Sequence, residues 1–175
     1  AAVYHQLATQ YYLLHKIPEA LNEIELGLRD FEKNEHLLLQ KAIIQSRGGQ
    51  ISGAEETLLQ LLSINPSNIL ARNEIGILYR EWATIKQGKE KEDKYTEAEK
   101  WLKSLAEESN ILARNEIGIL YREWATIKQG KEKEDKYTEA EKWLKPLAEE
   151  KHIYARNEIG ILYREWATIK QGKEK

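Results

Sequence analysis

Charged residues make up 32% of the 175 in this chain and nearly cancel, to a formal net charge of −2. The basic excess with which a nucleic-acid binder displaces counterions from phosphates is therefore missing. Cysteine is absent, which removes disulfides, thiolate metal sites and cysteine nucleophiles and suits a cytoplasmic protein, and no apolar run is long enough to insert in a membrane.

The first 68 residues carry two related patterns. Leu7, Ala8, Tyr11, Ala20, Ile24 and Leu28 line one face at helical spacing, and Ala42, Ala54, Leu58, Leu62 and Pro66 restart it from Glu35. Lys41 and Gln45 interrupt the second pattern, so its first helix is expected to pack less well. Ser46-Arg47-Gly48-Gly49 lacks the spacing and the lysine of a phosphate-binding loop. It reads as a tight turn between helices, where glycine supplies backbone freedom.

From Ile69 the chain repeats itself. Residues 69–110 recur as 111–152 with changes only at Ser104/Pro146, Ser109/Lys151 and Asn110/His152, a period of 42 residues. A third copy starts at Ile153 and stops at Lys175 with Tyr154 in place of Leu112. Near-identity implies recent duplication or deliberate assembly, and the start at Ala1 and the stop in mid-repeat read as a fragment or a processed chain. A fixed period of this length implies an array whose units bury their apolar faces on their neighbours.

Each 42-residue unit holds two stripes. Ala71, Ile75, Leu78, Tyr79, Trp82 and Ala83 predict a first helix, capped by Ser67 or Asn68 and ending near Gln87-Gly88. Ala98, Trp101, Leu102, Leu105 and Ala106 predict a second, capped by Asp93, with the polar stretch 88–93 as the loop between them. Pro146 falls inside the second helix of its unit, so a kink or an early end near residues 142–145 is expected. Residues 153–170 form a last helix without a partner helix. The whole reads as all-α, about nine helices in antiparallel pairs, one domain over residues 1–175 divided 1–34, 35–68, 69–110, 111–152 and 153–175.

The recurring offsets 7, 8, 11, 20, 24, 28 and 32 resemble the tetratricopeptide repeat, a 34-residue helix–turn–helix unit with small residues where its paired helices touch. The longer units fit the same frame with eight residues inserted between the helices. They are similar also to Sel1-like repeats, through Ile75-Gly76-Ile77-Leu78-Tyr79 and Ala98-Glu99-Lys100-Trp101. The resemblance implies a right-handed α-solenoid and a protein or peptide partner held in a concave groove lined by first helices. Groove offsets 2, 5, 9 and 12 fall on Leu70, Asn73, Ile77 and Arg80, then Leu112, Asn115, Ile119 and Arg122, then Tyr154, Asn157, Ile161 and Arg164. Asparagine suits the backbone of an extended peptide, isoleucine an apolar contact, and arginine a carboxylate. The packing alternative has Ile77 buried against the next first helix and Arg80 paired with Glu74 or Glu81. Members of that family that clamp a C-terminal carboxylate use Lys and Asn where this chain has His5 and Thr9, so that mode is not expected. The groove around Thr9, Leu39 and Ile43 reads as more apolar than the rest.

No catalytic constellation, cofactor or metal is implied. His5, His15, His36 and His152 lie in different units without metal-ligand spacing, and the carboxylates are interspersed with lysine in solvated runs such as 89–93. Trp82, Trp101, Trp124, Trp143 and Trp166 sit on the packing stripes, as core rather than as a ligand platform. A protein-binding scaffold is the leading expectation, and a module that self-associates through its end helices, or one with no dedicated ligand, is the alternative.

Overall fold

A computed structural model describes the backbone of residues 1–173 and the side chains of residues 1–168. Among them nine helices follow one another: α1 (Ala2–Leu13), α2 (Ile17–Asp30), α3 (Glu35–Arg47), α4 (Ile51–Ile64), α5 (Ile69–Thr84), α6 (Gly88–Glu107), α7 (Ile111–Ala125), α8 (Gly130–Glu149) and α9 (Ile153–Lys173). The last two residues of the expected terminal unit lie outside the described residues. No described helix is long and apolar enough to cross a membrane. Contacts divide the chain into two compact units, Ala1–Leu78 and Tyr79–Lys175, with the boundary inside α5.

In the first unit α1 packs on α2 and α3, α2 on α3, and α3 on α4. Ala8, Ala20, Ile24, Leu37 and Ile44 form its sealed core. Small residues permit this approach: a Cβ on Gly27 of α2 would lie 2.9 Å from both Tyr4 of α1 and Leu37 of α3. Gln45 does not loosen α3, because its buried Oε1 accepts the Thr57 hydroxyl of α4 at 2.8 Å and satisfies the group. Lys41 keeps its ammonium at the surface against Glu25 at 2.6 Å. Of the expected 46–49 turn, Ser46 and Arg47 close α3 and only Gly48-Gly49 makes the turn, with Gly49 in the left-handed region at φ 78°.

In the second unit α6 packs on α7, α7 on α8 and α9, and α8 on α9. Tyr95, Ala98, Leu102 and Leu105 are buried, as are their counterparts Tyr137, Ala140, Leu144 and Leu147 one period later. Asparagine caps open first helices in both units: Asn68 Oδ1 accepts from the Ala71 N–H in the first, and Asn110 Oδ1 from the Ala113 N–H in the second, both at 2.9 Å.

Two further expectations are corrected. The stretch 88–93 is helix, not loop: α5 ends at Thr84, and α6 begins at Gly88 rather than after Asp93. Lysine and glutamate are good helix formers, and Glu90 in the first turn complements the helix dipole and pairs with Lys86 at 3.1 Å. The added residues thus lengthen the second helices, to 20 residues in α6 and α8 against 14 in α2 and α4. Pro146 likewise does not end α8, which runs on to Glu149. It lies in the last turns on the exposed side, and the helix closes after it as α6 does after Ser104. Glu150 N–H donates to the Pro146 carbonyl, and Glu108 N–H to that of Ser104, both at 3.0 Å. The missing donor still costs stability, so Pro146→Ser is expected to stabilise the chain by about 1–3 kcal/mol, a higher Tm in thermal unfolding followed by circular dichroism.

Candidate functional site

In the first unit the first-helix offsets converge on open clefts. His5, Thr9 and Tyr12 of α1 face His36, Leu39 and Ile43 of α3 across a cleft of about 240 Å³. These are offsets 5, 9 and 12 of one unit and 2, 5 and 9 of the next. Gln40 fixes the wall, since its Nε2 donates to the His5 carbonyl at 3.0 Å and to Thr9 Oγ1 at 2.8 Å. A neighbouring cleft of about 390 Å³ places Leu39 and His36 beside Leu70. Leu70 is 54% exposed although aliphatic. Asn73 and Ile77, further along α5, are buried.

In the second unit the three ladders separate. The offset-2 members Leu112 and Tyr154 are exposed. Asn115 is half-buried with its carbonyl oxygen sealed from solvent, whereas Asn157 is exposed. Ile119 and Ile161 are half-buried.

Two of the three arginines, Arg80 and Arg122, are engaged by carboxylates of the following repeat. Arg80 Nε donates to Glu116 Oε2 at 3.2 Å, and its Nη1 reaches both oxygens of Glu123 at 3.1 and 3.2 Å. Glu81, on its own helix, is 3.8 Å away. One period on, Arg122 holds Glu158 at 3.1 Å and Glu165 at 3.2 Å. Each arginine side chain is only 13% exposed. Burial works against the charge of Arg80, but Glu123 and Glu116 hold its pKa above the usual guanidinium range. Burial pushes the Glu116 carboxyl up, against the pull of Arg80. The clasp therefore staples one first helix to the next. Arg164 has no carboxylate partner among the described residues and is exposed.

The aromatic stripe is also spoken for. Lys94 Nζ of α6 lies 3.6 Å from the Trp82 ring centre, and Lys136 Nζ of α8 lies 3.4 Å from that of Trp124. Tyr95 stacks on Trp124 and Tyr137 on Trp166, both at 5.8 Å. Burial raises the Tyr95 hydroxyl to about 12, which suits a packing residue. Among the described residues no His, Asp or Glu cluster could hold a metal.

Helices packed on their neighbours within each unit, small residues at their contacts and a 42-residue internal period make this an all-helical repeat protein with a tetratricopeptide-type fold. Solved structures place it there. TTC0263, a thermophilic protein with such repeats from Thermus thermophilus, matches with a TM-score of 0.75 at 19% identity, over 94% of this chain and 82% of that one. A tetratricopeptide-repeat protein from Parabacteroides merdae ATCC 43184 matches with a TM-score of 0.73 at 21% identity, over 99% of this chain and 61% of that one. MamA from Desulfovibrio magneticus RS-1 matches at 0.61 and 14%, over 95% of both chains. No family model matches the sequence, and no curated protein matches it either.

Proposed function

We propose that this chain is a non-enzymatic protein-interaction scaffold that holds an apolar segment of a partner, peptide or helix, against its first helices. The observation that carries this reading is the convergence of His5, Thr9, Tyr12, Leu39 and Ile43 on one cleft, with Leu39 continuing into a second cleft beside exposed Leu70. A wall that is only solvated has no need of Leu39, Ile43 and Leu70, and the hydrogen bonds of Gln40 hold that wall in place before any ligand arrives. In the second unit the accessible members of the same register are Leu112, Tyr154, Asn157 and Ile161, and these are the contacts we assign there. Asn115, Ile119, Arg80 and Arg122 support that surface from beneath, through burial and the carboxylate clasps, while Asn73 and Ile77 are buried in α5 of the first unit. Arg164 is the one arginine of the three that remains open.

A peptide-array screen tests this. Ligands selected on the unaltered chain are expected to lose tenfold or more in affinity for Leu39→Asp and for Ile43→Asp, because each burial against a ligand is worth about 1.5–3 kcal/mol. Leu59→Asp, at an exposed position on α4, should leave binding unchanged. Binding that ignores Leu39 and Ile43 while helicity is retained would remove the cleft as the site.

A further inference from the structure

The cleft between α1 and α3 has two unlike ends. Leu39 and Ile43 of α3 make an apolar floor with Tyr12 of α1 beside it. One helical turn before Leu39, His36 lies across from His5, and both histidines are exposed. The remaining polar groups of the walls are committed within the chain. Thr9 Oγ1 donates to the His5 carbonyl at 2.8 Å, and the Gln40 amide donates to that carbonyl and to Thr9 Oγ1. Gln40 Oε1 is sealed from solvent. A ligand therefore meets two imidazoles, the Tyr12 hydroxyl and apolar surface. The histidine end is also the cationic end. His36 and Leu39 line the adjoining cleft, where Lys33 joins them from the turn before α3. Lys33 is exposed and has no carboxylate partner among the described residues. The carboxylates nearby are engaged. Glu35 Oε2 accepts the Asn65 and Asn68 side-chain amides at 2.9 and 2.7 Å, and these bonds hold its carboxyl below the usual range. Asp30 of α2 accepts the Tyr4 hydroxyl at 2.9 Å, and among the described residues none from α2 or α4 lines the cleft.

We propose that the partner segment held in this cleft carries an acidic side chain beside its apolar anchor. The anchor rests on Leu39 and Ile43, and the carboxylate is received by His5, His36 and Lys33. This inference rests on the cleft being the binding site and names the chemistry of what it holds. Side chains two residues apart in an extended segment, or one turn apart in a helix, are separated by about 5–7 Å along it. That matches the single turn from Leu39 back to His36. Charge complementarity then depends on pH with a definite sign. Imidazole side chains take up their proton between about pH 8 and 5, whereas a carboxyl of an extended peptide stays ionised down to about pH 4. Binding of an acidic segment tightens as pH falls through that window. The share supplied by Lys33 is present at neutral pH already.

The probes are two arrays of acetylated, amidated peptides built around a central Leu-Ile, with Glu stepped through the flanking positions of one and Gln through the other. For the whole chain, Glu two residues or one turn from the anchor is expected to strengthen binding over Gln by about threefold at pH 7.5, and by about threefold more at pH 5.5. His5→Gln combined with His36→Gln should abolish the gain on acidification, and Lys33→Gln should remove the part seen at pH 7.5. All three positions are exposed, so circular dichroism of these variants should match the unaltered chain. Glu and Gln peptides that bind alike at both pH values, and are lost together in Leu39→Asp, overturn the acidic assignment and leave the cleft as the site. Binding that ignores Leu39→Asp, or no binding to either array, overturns both readings. A gain produced by a free terminal carboxylate on the Gln peptides, and not by Glu, would replace the side chain with a chain end.

Discussion

Arg80→Ala is expected to destabilise the protein by about 2–4 kcal/mol, a fall in Tm of several degrees, while Arg164→Ala changes it by less than about 0.5 kcal/mol. The two arginines occupy the same position in copies of one sequence. Arg80 reaches Glu116 and Glu123 from a side chain only 13% exposed, and Glu116 is as well covered at 12%. Removing the cation leaves a buried carboxylate without its partner, which costs more than the pair contributed. Arg164 has no such dependants. For the same reason Arg80→Met combined with Glu116→Gln and Glu123→Gln should recover most of the loss, since apolar and neutral groups in these places need no counter-charge.

The pH dependence of that loss has a definite sign. Burial already raises the Glu116 carboxyl above its reference value of 4.5, and Arg80 opposes the rise. In Arg80→Ala the opposition is gone and the pKa climbs further. A carboxyl raised on folding adds stability that is fully present below its unfolded pKa and is lost as pH rises through the folded one. The variant should therefore lie closest to the unaltered protein near pH 4.5 and fall behind it towards pH 7.5, as measured by urea unfolding at the two values. A loss that grew with acid instead would mean that the clasp is not what Arg80 provides.

Packing positions are legible in the sequence because each is fixed by its own residue type. Ala8, Ala20, Ala71, Ala98 and Ala140 are small apolar residues recurring at fixed offsets, and all are sealed. The cap at Asn68 is legible for a similar local reason. The clasps are not, because a charged residue on a helix face declares no partner. Along the chain the near carboxylates of Arg80 are Glu74 and Glu81, whereas its main partners lie 36 and 43 residues on, in the next repeat. A signal exists in the coincidence of period and charge. Arg at offset 12 and Glu at offsets 6 and 13 recur only in the 42-residue units, and the first unit has Tyr12 and the second Ser46 at the arginine offset. Stacking copies one period apart brings that arginine to those glutamates. The stretch 88–93 misleads for another reason. Glycine and a run of charge mark a loop when taken alone, but Lys and Glu carry high helix propensity, and Gly88 at φ 54° serves the entry to α6 instead of the exit from α5.

The same chemical change at two equivalent glycines is expected to move stability in opposite directions. Alanine in place of glycine within a helix gains about 0.5–1 kcal/mol from reduced backbone entropy in the unfolded chain. At Gly160 nothing lies within 4 Å of the added carbon, so the gain should appear undiminished as a higher Tm. At Gly118 the carbon would stand 2.5 Å from Leu144 Cγ, 2.7 Å from Cδ2 and 3.2 Å from Cδ1. Leu144 is fully buried and cannot swing aside without moving α8. Overpacking of this kind costs about 1–3 kcal/mol, enough to reverse the sign. The cause can be isolated with a double-mutant cycle. Leu144→Ala alone opens a cavity and destabilises, yet combined with Gly118→Ala it should cost less than the two separate losses together, with a coupling of about 1 kcal/mol or more. No coupling is expected between Gly160→Ala and Leu144→Ala. Should Gly118 and Gly160 instead respond alike, α8 would not be seated in the Gly118 notch.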